Sequence, residues 1–192
     1  MKKHVMSLEQ ALDEVSASSA GGAPFLLAYG VTFIITGILS FFLADNVVAL
    51  IAMFQGAVAL PVAFLLERRM GQQRMSADNP LGSLSGMMAV SQALAIPALI
   101  VVYSVNPRVM PVVLAGLGGV HFLPYAWLHR MRLYMFLASA IALGAFALQL
   151  ILGPAAFNWI LIYVGVVYLI AAPLVYRQAQ ILVSQIAPVS TD

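Results

Sequence analysis

The sequence predicts an all-α, polytopic transmembrane bundle of six helices, preceded by a short N-terminal amphipathic interfacial helix. Three observations predict it. Six apolar runs, Phe25–Leu43, Val47–Leu66, Leu81–Val105, Val109–Leu128, Leu133–Leu152 and Ala155–Tyr176, fill most of the 192 residues. A helix rises about 1.5 Å per residue, so roughly 20 apolar residues cross a ~30 Å hydrocarbon core, and each run is that long. The chain is 62% hydrophobic and only 8% charged, with mean hydropathy +0.98, where soluble domains carry roughly 25% charged residues. The runs are continuously apolar, whereas barrel strands alternate apolar and polar residues, so a closed barrel is set aside.

Charge sets the expected orientation. Lys2, Lys3, Arg68, Arg69, Arg74, Arg130, Arg132 and Arg177 fall on one side of the six runs, and Arg108 alone on the other. Basic residues are retained in the cytoplasm, so both termini are expected there. Lys2, Lys3 and His4 resemble the start of a signal peptide. Glu9, Asp13 and Glu14 then stand where its apolar core belongs, so none is expected. The organisation expected is an amphipathic helix and hinge over 1–22, a membrane domain over 23–178 and a cytoplasmic tail over 179–192. The net charge of +2 says nothing about nucleic acid, but the nine Lys and Arg form no basic face, so no nucleic-acid partner is expected. The absence of cysteine excludes disulfides and thiolate chemistry.

Taken in order, Val5, Leu8, Leu12 and Val15 recur at helical spacing, with Ser7 and Gln10 placed for a capping box and Gly21-Gly22 for a stop. The helix fits the inner leaflet surface. Its acidic face suits anionic lipid poorly, which also allows a plug or a partner-docking helix. Pro24 opens the first span. Thr32, Thr36 and Ser40 share one face of it, where their hydroxyls can bond back to the backbone. Asp45-Asn46 makes a tight turn, so the first two spans are antiparallel neighbours.

The second span carries Gln55 and Pro61, the third Gln92 and Pro97. Each pairs an amide with a proline that frees a backbone carbonyl. Both amides are expected to form interhelical hydrogen bonds or to line a solute path through two kinks. Glu67–Asn79 is the longest polar connection. Ala115 and Gly119 form a small-xxx-small pair that makes the fourth span central. The sixth helix is expected to continue past Arg177 to about Ile186.

The densest chemistry lies in His121-Phe122-Leu123-Pro124-Tyr125-Ala126-Trp127-Leu128-His129-Arg130. His121, Tyr125 and His129 are spaced by four and share a face. His121 sits roughly 13 Å inward from Arg130 at helical rise, the one ionisable side chain, tyrosines aside, expected well inside the hydrocarbon. Ionisable groups there face a bundle interior or a water-filled cavity. A neutral imidazole satisfied by its neighbours and a group that handles a ligand, ion or proton both fit. With no second buried histidine expected, and no carboxylate or thiol at that depth, neither a metal site nor haem is expected. Trp127, Tyr125, Tyr134 and Tyr176 fit an inner aromatic belt, and Tyr103 and Trp159 an outer one.

This segment, with Phe25-Leu26-Leu27-Ala28-Tyr29-Gly30 and Asn79-Pro80-Leu81, resembles a group of small uncharacterised bacterial membrane proteins of similar length. The resemblance implies a six-helix bacterial membrane protein and no particular activity.

The spans hold no mid-membrane carboxylate for ion coupling, and the chain has no H-E-x-x-H, phosphate loop or G-x-S-x-G. No catalytic residue and no cofactor is expected. Three functions remain. The first is a facilitative small-molecule carrier or channel, with His121, Tyr125, Gln55, Gln92 and Tyr29 as ligand or pathway residues. The second is a non-catalytic scaffold or accessory subunit holding a protein partner through the N-terminal helix and the 67–79 loop. The third is a membrane enzyme acting on lipid or quinone near His121 and Tyr125. The expected partners are membrane lipid, a small-molecule ligand and a second copy of the chain.

Overall fold

The computed structural model describes residues 6–71 and 73–186. Lys2, Lys3, His4 and Val5, and the end of the tail from 187, lie outside the described residues. Among those described there are only helices and turns. Helix α1 spans Leu8–Ser18, α2 Ala23–Leu39, α3 Asp45–Phe54, α4 Gly56–Met70, α5 Gly82–Ala93, α6 Ile96–Val105, α7 Met110–Leu128, α8 Leu133–Leu152 and α9 Ala156–Ile186. Five stretches are long and apolar enough to cross a membrane: Ala20–Leu39, Asp45–Met70, Gly82–Val105, Pro107–Leu128 and Leu133–Leu182. The last is 50 residues long and doubles back at Gly153 (φ 55°), so it holds two of the six membrane-length helices. They are α2, α3–α4, α5–α6, α7, α8 and α9.

Two spans are broken, each a short way upstream of a proline. A proline ring clashes with the carbonyl four residues back and donates no N–H to it. The α3–α4 break falls at Gln55, upstream of Pro61, which stays inside α4. The α5–α6 break falls at Leu94-Ala95, and Pro97 then occupies the first turn of α6, where its missing N–H costs nothing. The hydroxyl stripe of α2 bonds to its own backbone. Thr32 donates to the Tyr29 carbonyl (3.0 Å), Thr36 to Thr32 (2.8 Å) and Ser40 to Gly37 (2.6 Å).

The core runs along α9, which packs most extensively against α2, while α7 pairs with α8. Small residues set these distances. A methyl on Gly119 would stand 2.8 Å from the Ala138 carbonyl oxygen, and one on Gly165 2.9 Å from the Ile34 backbone nitrogen. Close backbone approach of this kind holds helices together where lipid offers no hydrophobic contrast. Span α5–α6 is the least buried of the bundle. Arg108, the one basic residue at its end of the bundle among the described residues, is ion-paired with Asp45 at 2.6 Å.

Candidate functional site

Polar side chains meet at two levels of the bundle. The first is its basic end, which carries Arg68, Arg74, Arg130 and Arg132 and is closed by α1. The capping box forms as the spacing requires. The Ser7 hydroxyl accepts from the Gln10 N–H at 3.2 Å, and the Gln10 side chain accepts from the Ser7 N–H at 3.0 Å. Ala11, Leu12 and Val15 are buried against Leu81, Met88 and Leu128. The acidic face is occupied as well. Glu14 accepts from the Ser76 N–H (2.8 Å), the Ser76 hydroxyl (2.9 Å) and the Asn79 amide (2.6 Å). Asn79 also donates to the Ala11 carbonyl at 3.1 Å, and Asp13 pairs with Arg130 at 3.3 Å. Burial works against the Glu14 carboxylate, but the bonds from Asn79 and Ser76 outweigh it and hold its pKa below the ordinary value.

α1 turns beneath the bundle through three consecutive left-handed residues, Ala20 (φ 50°), Gly21 (φ 66°) and Gly22 (φ 89°). The Gly21 carbonyl accepts from the Tyr134 hydroxyl at 2.5 Å. His129 shares a hydrogen bond with the Ser16 hydroxyl through Nδ1 at 3.2 Å and is 2% exposed. Its ring stacks on Tyr125 (5.7 Å) and Tyr134 (5.6 Å). Burial holds the His129 imidazole neutral, with its pKa down at about 4.

Two expectations are corrected here. A second buried histidine does exist, because α1 covers a position that the sequence places at the end of α7. Tyr134 is 1% exposed and ties α8 to the α1–α2 turn, so it does not belong to an aromatic belt. The signal for His129 was its place on the stripe of His121 and Tyr125; its cover, 113 residues away in sequence, had no local signal. Trp127 and Trp159, about half exposed at opposite ends, do suit belts.

A cavity of about 910 Å³ opens at this end, lined by Ser18, Glu67, Arg68, Gly71, Gln73, Arg74 and Met75. Gly71 abuts the last turn of α1, and a methyl there would overlap the Ser18 carbonyl oxygen.

The second level lies deeper. The half-buried Tyr29 on α2 reaches the α3–α4 break, where its hydroxyl is 3.0 Å from the place a Cβ on Gly56 would take. Gln55, next in the chain, is 9% exposed, and its Oε1 is buried with no hydrogen-bond partner. The interhelical bond expected of this oxygen is therefore not made. Tyr125 is within electrostatic reach of Tyr29 and of Glu67, and Tyr168 within reach of Tyr29. His121 joins through Tyr125, edge to face at 5.1 Å. Phe122 contacts Tyr125, Tyr134 and Tyr168, completing an aromatic wall.

Tyr29, Tyr125 and His121 thus share one part of the interior, and Tyr29 reaches the break at which Gln55 stands. Gln92 is not among them. It stands exposed on α5, away from the other four, and makes no interhelical bond among the described residues. Glu67 and Tyr168 complete the group and were missed: Glu67 reads as a loop charge, Tyr168 as a lone aromatic in an apolar run. No cluster of three His, Cys, Asp or Glu that could hold a metal occurs among the described residues.

A family model described as "Family of unknown function (DUF7010)" matches residues 8–178, and the chain belongs to that family. Searches of curated proteins and of solved structures returned no match.

Proposed function

We propose that this member of the DUF7010 family is a facilitative small-molecule carrier or channel of a bacterial inner membrane, with both termini in the cytoplasm. The orientation rests on the eight-to-one division of Lys and Arg. The function rests on one observation: the Gln55 Oε1 is buried mid-span with nothing bonded to it. A buried acceptor left unpaired costs about 1–3 kcal/mol. A fold keeps such a group where something else completes it, and a passing solute does so.

Two further features support the reading. Glu67 lines the 910 Å³ cavity and is also within electrostatic reach of Tyr125, so it stands between a mouth at the basic end and the inner polar group. The α3–α4 break at Gln55 opens a span at the depth of Tyr29, and broken spans are where transporters place their solute positions. The scaffold reading gains less, because the acidic face of α1 and the 67–79 loop bind each other.

The test is flux through proteoliposomes of the purified chain, with His121→Ala and Gln55→Leu alongside. Solute-specific flux that both variants reduce, while each keeps its helical spectrum and elution volume, supports the reading. A sealed vesicle indistinguishable from empty liposomes across a broad solute panel sinks it.

A further inference from the structure

A second cavity, of about 570 Å³, opens at the basic end where α7 stops and α8 begins. Its lining divides into two chemistries. Leu123 and Trp127 on α7 and Met135 on α8 are apolar and about half exposed, and the buried Leu12 of α1 adjoins them. Arg130 and Arg132 stand in the turn between the two helices. Among the described residues no carboxylate lines this cavity.

The turn keeps a guanidinium where glycine would fold more easily. The Arg130 N–H donates to the Trp127 carbonyl and the Met131 N–H to the Ala126 carbonyl, both at 3.1 Å. That pattern ends a helix on one left-handed residue, usually glycine, because a side chain is disfavoured there. Here the left-handed residue is Arg130, at φ 55°. The charges are unequally matched. Arg130 is paired with Asp13 at 3.3 Å. Arg132 is exposed and has no ion pair or side-chain hydrogen bond among the described residues. The dipoles of the α7 C-terminus and of the α8 N-terminus, which no side chain caps, oppose each other at this turn. One positive charge is left over, beside an apolar surface.

Depth says what meets such a surface. The membrane-length stretch Pro107–Leu128 ends at this turn and Leu133–Leu182 begins there, which puts both arginines at the level of lipid headgroups. Leu123 lies about 10 Å inward from Arg130 at helical rise, so Leu123 and Trp127 run from headgroup depth toward the hydrocarbon along one side of α7.

We infer that this cavity seats an anionic phospholipid. Its phosphate pairs with Arg132 and accepts a further hydrogen bond from Arg130, while one acyl chain lies along Leu123, Trp127 and Met135. The unmatched charge selects a headgroup that is negative overall. The ammonium of a zwitterionic headgroup would stand against a guanidinium, with no carboxylate in the lining to receive it. The site rests on the chain's place in a membrane and not on the conduit reading.

The chain has two tryptophans, Trp127 beside the cavity and Trp159 at the other end of the bundle, so each serves as a reporter. The full chain carrying Trp159→Phe is reconstituted in phosphatidylcholine bilayers with rising fractions of dibrominated phosphatidylglycerol, and in a parallel series with dibrominated phosphatidylcholine. Bromine quenches the tryptophan it touches. Phosphatidylglycerol is expected to quench Trp127 with about fivefold preference over phosphatidylcholine, the scale that one basic side chain supplies near a membrane surface. Arg132→Gln is expected to abolish the preference and Arg132→Lys to keep it, each with an unchanged helical spectrum. Trp127→Phe, which leaves Trp159, is expected to show none. A preference absent at Trp127, equal at both tryptophans, or unchanged in Arg132→Gln would overturn the site. The comparison of the two tryptophans needs no change to either arginine, so it decides even if Arg132→Gln does not fold. Inorganic phosphate at matched ionic strength is expected to leave the quenching as it is. Release of the quenching would assign the arginines to a free phosphate and overturn the lipid.

Discussion

At the scale of single residues, the basic end depends on neutral histidine and a buried phenol. His129 faces Ser16 from α1, Tyr125 from its own helix and Tyr134 from α8, while its neighbour Arg130 is paired with Asp13. With α1 docked, the imidazole takes a proton only near pH 4; once α1 leaves and water enters, it takes one near its ordinary 6.5. Between those values the undocked state binds the extra proton, so docking weakens as pH falls from about 6.5 to about 4 and no further from this source below it. The effect is at most on the order of 3 kcal/mol, because Tyr125 and Tyr134 also cover the ring. Glu14 acts in the same direction at lower pH, since its contribution is lost as pH drops through its lowered pKa. Limited proteolysis of α1 should therefore speed up on acidification to pH 5. An unchanged rate would show that the imidazole is not held neutral by α1. Tyr134→Phe removes the donor to the buried Gly21 carbonyl and should cost about 1–3 kcal/mol, read as a lower midpoint of thermal unfolding in detergent.

At the scale of elements, α1 and its turn make the sharpest case. Gly22 sits at φ 89° with the Tyr134 hydroxyl 2.5 Å from where a Cβ would stand. Gly22→Ala should destabilise the docked α1 through both strain and overlap. Gly71→Ala drives a methyl into the Ser18 carbonyl and should also lift α1. Because the chain has no cysteine, a single Ala17→Cys reports directly. Ala17 is 2% exposed, so a thiol there should react slowly in the parent and faster in the Gly71→Ala background. Equal rates would mean that the 67–79 loop moves instead. The amphipathic pattern and capping box of α1 were legible because they repeat every three or four residues. Its receptor was not, because it is assembled from α5, α7, α8 and α9, and no local pattern encodes which distant surface an apolar stripe will meet. The same limit hid the cover of His129 and the missing partner of Gln55, whereas the α2 hydroxyl stripe, satisfied within its own helix, could be read directly.

At the scale of the whole molecule, the six membrane-length helices follow from length and hydropathy alone, and the proposed six crossings would put both ends on one side. Ser7→Cys and Ser184→Cys should both label from that side with a membrane-impermeant maleimide, and Asn106→Cys from the other. Labelling of Ser7→Cys and Ser184→Cys from opposite faces would break the assigned topology. Composition also made legible that no cysteine chemistry operates here. Depth alone did not reveal which polar residues meet. Gln55 and Gln92 look alike in sequence, each an amide shortly before a proline, yet one lies inside the bundle and the other on its surface. Only the packing order of the helices, α9 against α2 and α7 against α8, separates them.

The reach of α1 across the chain has a consequence for biosynthesis. It is made before the six spans, yet Gly21, just behind it, is packed against Met131 from the α7–α8 turn and Val175 and Ala179 from α9, all made well after it. Until α9 is in place, α1 has its apolar seat on Leu81, Met88 and Leu128 but lacks the packing behind its turn. A product truncated before Val175 would hold that turn less firmly and leave it more open to proteases.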